Sequence, residues 1–122
     1  MSEAPLKVAI VIHSSVETRE SAMKVFNALE AAREFKEGGD YIDVIFDGEG
    51  TRTAVIISQP DHPLNKAFKN VEDIITGVCR FCVVQHDMEE AAQKAGLSLL
   101  DEFHNHPSFR NLIKSGYQVL NF

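Results

Sequence analysis

Short apolar runs alternate with longer amphipathic stretches along this chain. Continuous apolar runs that are rich in β-branched residues are typical of central strands in a parallel sheet covered on both faces. Five segments fit a strand pattern, and they cover residues 6–12, 41–46, 74–79, 97–100 and 117–122. The pattern therefore predicts five strands with helical segments between them.

The longest helical segment is predicted over residues 17–36, where apolar residues recur at helical spacing and a Gly-Gly pair follows. Shorter helices are predicted over 63–69, over 88–95 with Asp87 as the N-cap, and from Pro107 to near residue 116. The run 54–57 fits a strand or a short helix.

Strands that alternate with helices imply an α/β fold, with a five-stranded, mostly parallel sheet and helices on both faces. No repeat or linker interrupts the pattern, so residues 1–122 are interpreted as one domain. Ligands of such sheets bind beyond the carboxyl ends of the strands. We expect three polar or reactive segments at that edge, at residues 13–15, 47–51 and 79–86.

The charge balance narrows the range of partners. The chain has 12 basic and 18 acidic residues and a net charge of −6, so it lacks the basic surface typical of nucleic-acid binding. No window approaches the roughly 20 apolar residues of a membrane span. The first residues show no signal-peptide pattern. These observations predict a cytoplasmic protein without nucleic-acid or membrane partners.

Two cysteines, Cys79 and Cys82, are the only ones in the chain, and they stand where the third strand ends. Cytoplasmic cysteines are more often reduced, reactive or metal-bound than joined in a structural disulfide. A helix N-terminus lowers the pKa of a cysteine, and Arg80 adds positive charge beside Cys79, with His86 downstream. We therefore predict Cys79 as the attacking thiol and Cys82 as the resolving thiol.

Other residues at the same edge are candidates for lining the site, namely His13, Ser14 and Asp47, together with Arg80 and His86. His13 is either close to the site or a simple turn residue. The cysteines themselves have an alternative interpretation as a buried, inert pair, because free cysteine is among the most buried residue types.

A metal site that combines the two cysteines with His104 and His106 is a third interpretation. The spacing between the cysteine pair and the histidine pair does not match a zinc finger. We therefore predict no metal and no other cofactor. Without a metal, we expect His106 to cap the last helix and His104 to be a solvated loop residue.

The chain resembles the DsrE-like family, which includes the DsrE, DsrF, DsrH, Tus and YchN proteins of the sulfur-relay type. The resemblance covers nearly the whole chain. Its Phe-Asp-Gly-Glu-Gly-Thr, Cys-x-x-Cys and His-Pro-Ser segments are similar to one subgroup whose activity is mostly unassigned. The resemblance implies a three-layer α/β sandwich and assembly into trimers or hexamers. In relay members, a cysteine at the position of Cys79 carries persulfide sulfur between partner proteins.

The functional prediction is a sulfur-handling protein in which Cys79 accepts sulfane sulfur from a donor protein and passes it to an acceptor. Cys82 then acts as the resolving thiol. The alternative is a non-enzymatic module that binds a small ligand or a partner and whose cysteines are inert.

Overall fold

The computed structural model describes residues 4–122, in which five strands form one parallel sheet with the order β4-β3-β2-β1-β5. The strands are β1 (Lys7–Ile12), β2 (Tyr41–Phe46), β3 (Ile75–Cys79), β4 (Leu99–Leu100) and β5 (Gln118–Asn121). The predicted fold is therefore confirmed as a three-layer α/β arrangement. Residues 1–3, which enter the signal-peptide argument, lie outside the described residues.

Six α-helices connect these strands within the described part of the chain. They are α1 (Arg19–Glu37), α2 (Gly50–Ile57), α3 (Asn65–Asn70), α4 (Arg80–Gln85), α5 (Glu89–Lys94) and α6 (Phe109–Lys114), and a 3-10 turn covers Glu72–Ile74. The backbone N–H of Ser21 donates to Oγ1 of Thr18, which caps α1. The ambiguous run 54–57 is helical and forms the end of α2.

Two predicted helix starts are wrong. Asp87 is not an N-cap, because its φ of 54° places it in the left-handed region at the end of α4, and α5 begins after Met88. The last helix is capped by Ser108, whose hydroxyl accepts from the N–H of Asn111. Pro107 therefore precedes the cap instead of occupying the first helical position, and His106 is free of a capping role.

The distribution of helices follows from the order of the strands. The chain steps through the sheet in one direction from β1 to β4. Residues of the five helices α1 to α5 pack into one core on a single face of the sheet. The last connection returns across the sheet to β5 on the far side of β1. Right-handed crossovers then require the opposite face. There, Leu112 of α6 packs against a smaller core of Val11, Ile45 and Leu100.

Gly50 sets the position of the loop that follows β2. A Cβ atom at this position would collide with the backbone carbonyl of Ile12 at the end of β1. Only glycine allows this close approach, which holds the start of α2 against the carboxyl edge of the sheet. Among residues 4–122, every helix is too short or too polar to span a bilayer.

Candidate functional site

The two thiols lie at the junction of β3 and α4. Cys79 is the last residue of β3 and has an exposed fraction of 0%. Cys82 is the third residue of α4 and is half-buried. Both are free thiols, and their sulfur atoms lie within 4.8 Å of each other. The predicted pair is therefore close enough for direct chemistry between the two sulfurs after a small movement.

Asp47 joins the thiols from the neighbouring strand. It directly follows β2, and the Sγ of Cys82 donates to its Oδ1 over 3.4 Å. The backbone N–H of Gly48 donates to the same oxygen at 2.8 Å, and the N–H of Asp47 bonds to the carbonyl of Ile12. The structure thus brings this predicted lining residue into direct contact with Cys82.

His106 contacts the buried thiol. Its Nδ1 lies 3.4 Å from the Sγ of Cys79, and the ring packs at a centroid distance of 4.8 Å against Phe81 of α4. From the sequence, His106 is placed near the cysteines only in the metal-site interpretation, which is set aside in favour of a helix cap, and this contact is therefore missed. The signal that would have found it is topological, since residues after β4 emerge at the same sheet edge as Cys79.

A tight turn presents His106 to the thiol. Phe103 and His106 exchange two backbone hydrogen bonds, and the intervening His104 and Asn105 have φ values of 47° and 68°. The carbonyl of Asn105 accepts the N–H of Phe81 at 2.8 Å. These bonds attach the turn to the start of α4, directly after Cys79.

The segment after β1 lies at the carboxyl edge of the sheet, as expected, and forms hydrogen bonds with β5 and α2. The Nε2 of the exposed His13 hydrogen-bonds Oδ1 of Asn121 at 2.9 Å. The carbonyl of Ser14 accepts the hydroxyl of Thr53 at 2.6 Å. Within the described residues, neither His13 nor Ser14 forms a hydrogen bond to a thiol. Both therefore lie at the same edge as the two cysteines without contacting either sulfur through a hydrogen bond.

Arg80 and His86, which were expected to lower the pKa of Cys79, have other partners. The Arg80 guanidinium lies 3.5 Å from a carboxylate oxygen of Asp101, so its charge is directed to that exposed partner. His86 terminates α4, and its backbone N–H donates to the carbonyl of Cys82. The positive charge expected beside Cys79 is therefore paired elsewhere.

The prediction of a lowered pKa at Cys79 is wrong. Burial raises the pKa of the Cys79 thiol to about 12, and the Asp47 carboxylate adds to that rise, while the N–H of Cys82 acts in the opposite direction. Burial also raises the pKa of Cys82. Desolvation of a thiolate thus outweighs the short helix α4. Both thiols are protonated at neutral pH.

An open groove of about 660 Å³ is lined in part by His106. Its walls are mainly apolar, and they include Phe103, Pro107 and Phe109 together with Arg110. His106 thus both lines this groove and contacts the Sγ of Cys79.

Comparison with known proteins identifies one informative similarity. The chain is 30% identical over 116 residues to a protein of Methanocaldococcus jannaschii named "Uncharacterized protein MJ0733". The aligned region covers 94% of this chain and 94% of that protein. No protein-family model and no solved structure matches the chain.

Proposed function

The chain belongs to the same family as the uncharacterized protein MJ0733 of Methanocaldococcus jannaschii, and that name states no activity. We therefore propose the function of this chain from its thiol cluster, which consists of Cys79, Cys82, Asp47 and His106. The proposal is a DsrE-like sulfur-handling protein whose Cys79–Cys82 pair accepts sulfane sulfur and passes it on. One observation carries it: the two sulfurs lie within 4.8 Å of each other, and each has its own hydrogen-bond partner.

The first step is assigned to Cys82, because this thiol is half-buried whereas Cys79 has no exposed surface. This reverses the order expected from the sequence. The Cys82 sulfur attacks the terminal sulfur of a donor persulfide, R–S–SH. A new S–S bond forms at Cys82, the S–S bond of the donor breaks, and the donor leaves as R–SH with the proton that Cys82 loses.

Two outcomes follow for the resulting persulfide. In the first, an acceptor thiol attacks the outer sulfur and becomes a persulfide. The bond between the two sulfurs of the Cys82 persulfide breaks, and Cys82 returns to a thiol. Alternatively, Cys79 attacks the inner sulfur, which closes a Cys79–Cys82 disulfide and releases hydrogen sulfide. The Nδ1 of His106, 3.4 Å from the Sγ of Cys79, is positioned to take the proton of Cys79 in that second step.

Intact-protein mass spectrometry tests the proposal. Reduced, chelator-treated protein is incubated with glutathione persulfide, and we expect the mass to increase by one sulfur atom. Cys82→Ser should abolish the gain. Cys79→Ser should retain it and prolong its lifetime, because the resolving thiol is gone. An unchanged mass in both the wild-type protein and Cys79→Ser would refute sulfur handling, whereas a gain in Cys82→Ser alone would assign the first step to Cys79.

Partner proteins and self-assembly belong to the same proposal. A sulfur donor and an acceptor must reach Cys82, and exposed Phe81 and Phe103 next to His106 support a contact with another surface there. The family resemblance supports a cytoplasmic trimer or hexamer. Light scattering on purified protein measures this mass directly, and a monomer at micromolar concentration would contradict the assembly.

The raised pKa values and the burial of Cys79 favour a second candidate function. On this alternative, the protein is a non-enzymatic module that binds a small ligand or a partner, and the cysteines are inert. Alkylation of both thiols in the native state should then proceed only as fast as unfolding exposes them. Rapid native alkylation of Cys82 would rule this alternative out.

A further inference from the structure

Three side-chain donor atoms converge at the carboxyl ends of β2 and β3. A carboxylate oxygen of Asp47 and the Sγ atoms of Cys79 and Cys82 all lie within 4.8 Å of one another. In a tetrahedral zinc site, bonds of about 2.3 Å to sulfur and about 2.1 Å to oxygen separate neighbouring donors by roughly 3.5–3.8 Å. Small rotations of three side chains therefore bring all three donors to one common cation.

The backbone already holds these donors in place. Phe46 of β2 pairs with Val78 of β3, so the residues that follow them, Asp47 and Cys79, emerge side by side. The N–H of Gly48 holds the Asp47 carboxylate at 2.8 Å. Cys82 comes from α4, which starts directly after Cys79. Little conformational freedom remains to be lost when a cation binds.

The donor set selects the class of cation. Two sulfur ligands favour a thiophilic ion such as Zn²⁺ over Mg²⁺ or Ca²⁺, which prefer oxygen ligands. We propose that this chain binds one zinc-class divalent cation through Asp47, Cys79 and Cys82. The fourth coordination position is left for an exogenous ligand, as in zinc sites with three protein ligands.

His106 supports the three donors from outside, because its Nδ1 contacts the Sγ of Cys79 at 3.4 Å. Binding converts both thiols to thiolates and releases their two protons to solvent, with no change of oxidation state. The inference does not rest on sulfur handling. A bound cation occupies both thiols, so it would prevent them from carrying sulfur.

Metal titration of the full chain tests the inference. Reduced, metal-free protein is titrated anaerobically with Co²⁺, and thiolate-to-cobalt charge-transfer absorption is followed until it saturates. We expect one Co²⁺ per chain, displaced by one Zn²⁺. Asp47→Asn should weaken binding at least about tenfold, since even loss of a residue behind a ligand commonly costs 10–100-fold. Cys82→Ser should remove most of the charge-transfer absorption.

Asp73→Asn is the matched control, because it removes the same charge from an exposed carboxylate that pairs with Lys36 and lies before β3 begins. It should bind as tightly as the wild-type protein. Because Cys79 is fully buried, Cys82→Ser carries the test if Cys79→Ser does not fold, and circular dichroism checks each variant. Absence of charge-transfer absorption, or unchanged Co²⁺ affinity in both Asp47→Asn and Cys82→Ser, overturns the metal site. The persulfide assay is performed with chelator, so its result is independent.

Discussion

The Nδ1 atom of His106 lies 3.4 Å from the Sγ of Cys79, although the two residues are 27 positions apart. Parallel pairing brings them together, since Cys79 of β3 stands opposite Leu100 of β4. The chain leaves β4 at the carboxyl edge of the sheet and turns back over the end of β3. An imidazole thus faces a thiol that solvent does not reach.

Replacing His106 should slow only the chemistry of Cys79. With an aromatic disulfide reagent, the first thiolate release reports attack by Cys82. The second reports displacement by Cys79. In His106→Gln we expect the second phase to slow by about tenfold or more, because a positioned base contributes roughly 10²- to 10⁴-fold in proton transfer. Stopped-flow absorbance measures both phases. His104→Gln is the control, and an equal effect in that variant would contradict the assignment.

Removing the charge of Asp47 should make the thiols more acidic. The Asp47 carboxylate contributes to the raised pKa of both Cys79 and Cys82, because negative charge disfavours a nearby thiolate. Asp47→Asn should therefore lower both pKa values and accelerate alkylation of Cys82 at neutral pH. The dependence of the alkylation rate on pH measures this shift. Asp73→Asn, which removes an exposed carboxylate paired with Lys36, should leave the rate unchanged, and a slower rate in Asp47→Asn would refute the electrostatic argument.

Stability should fall at alkaline pH because of Cys79. Its pKa is about 12 in the folded protein and about 8.5 in an unfolded chain, so the unfolded state loses the proton first. This contribution to stability is fully present below about pH 8.5 and is lost as the pH rises towards 12. Urea unfolding of the wild-type protein and Cys79→Ala across this range measures the effect. Other titrating groups are common to both proteins. An identical dependence of the unfolding free energy on pH in the two proteins would contradict the prediction.

Gly50→Ala should destabilise the fold by at least about 2 kcal/mol, a typical cost of forcing extra atoms into a packed site. The added Cβ would meet the Ile12 carbonyl, and the loop that carries Asp47 must shift. Gly38→Ala is the control, because Gly38 has a right-handed helical conformation with φ of −76°. We expect its effect to stay under about 1 kcal/mol. Urea midpoints of the two variants give the comparison, and equal midpoints would refute the packing argument.

Local pattern predicted the elements where a segment has one consistent environment. The run 41–46 is β2 with the predicted bounds, and β1 differs from its prediction by one residue. The run 54–57 was ambiguous because a short apolar stretch fits a buried helix as well as a strand. Packing of Ala54, Val55 and Ile57 into the core of the α1–α5 face decides for the helix. Only Leu99 and Leu100 of the run 97–100 pair as a strand.

The sequence by itself determined the alternation of strands and helices, the parallel sheet and the position of the thiol pair at its carboxyl edge, because these follow from periodicity and connection rules. Tertiary structure decided which side chains meet the thiols. Asp47 contacts Cys82 across 35 positions, and His106 contacts Cys79 across 27. It also decided the direction of the pKa shifts, because desolvation depends on how distant segments pack around a sulfur atom, and no local pattern records that packing.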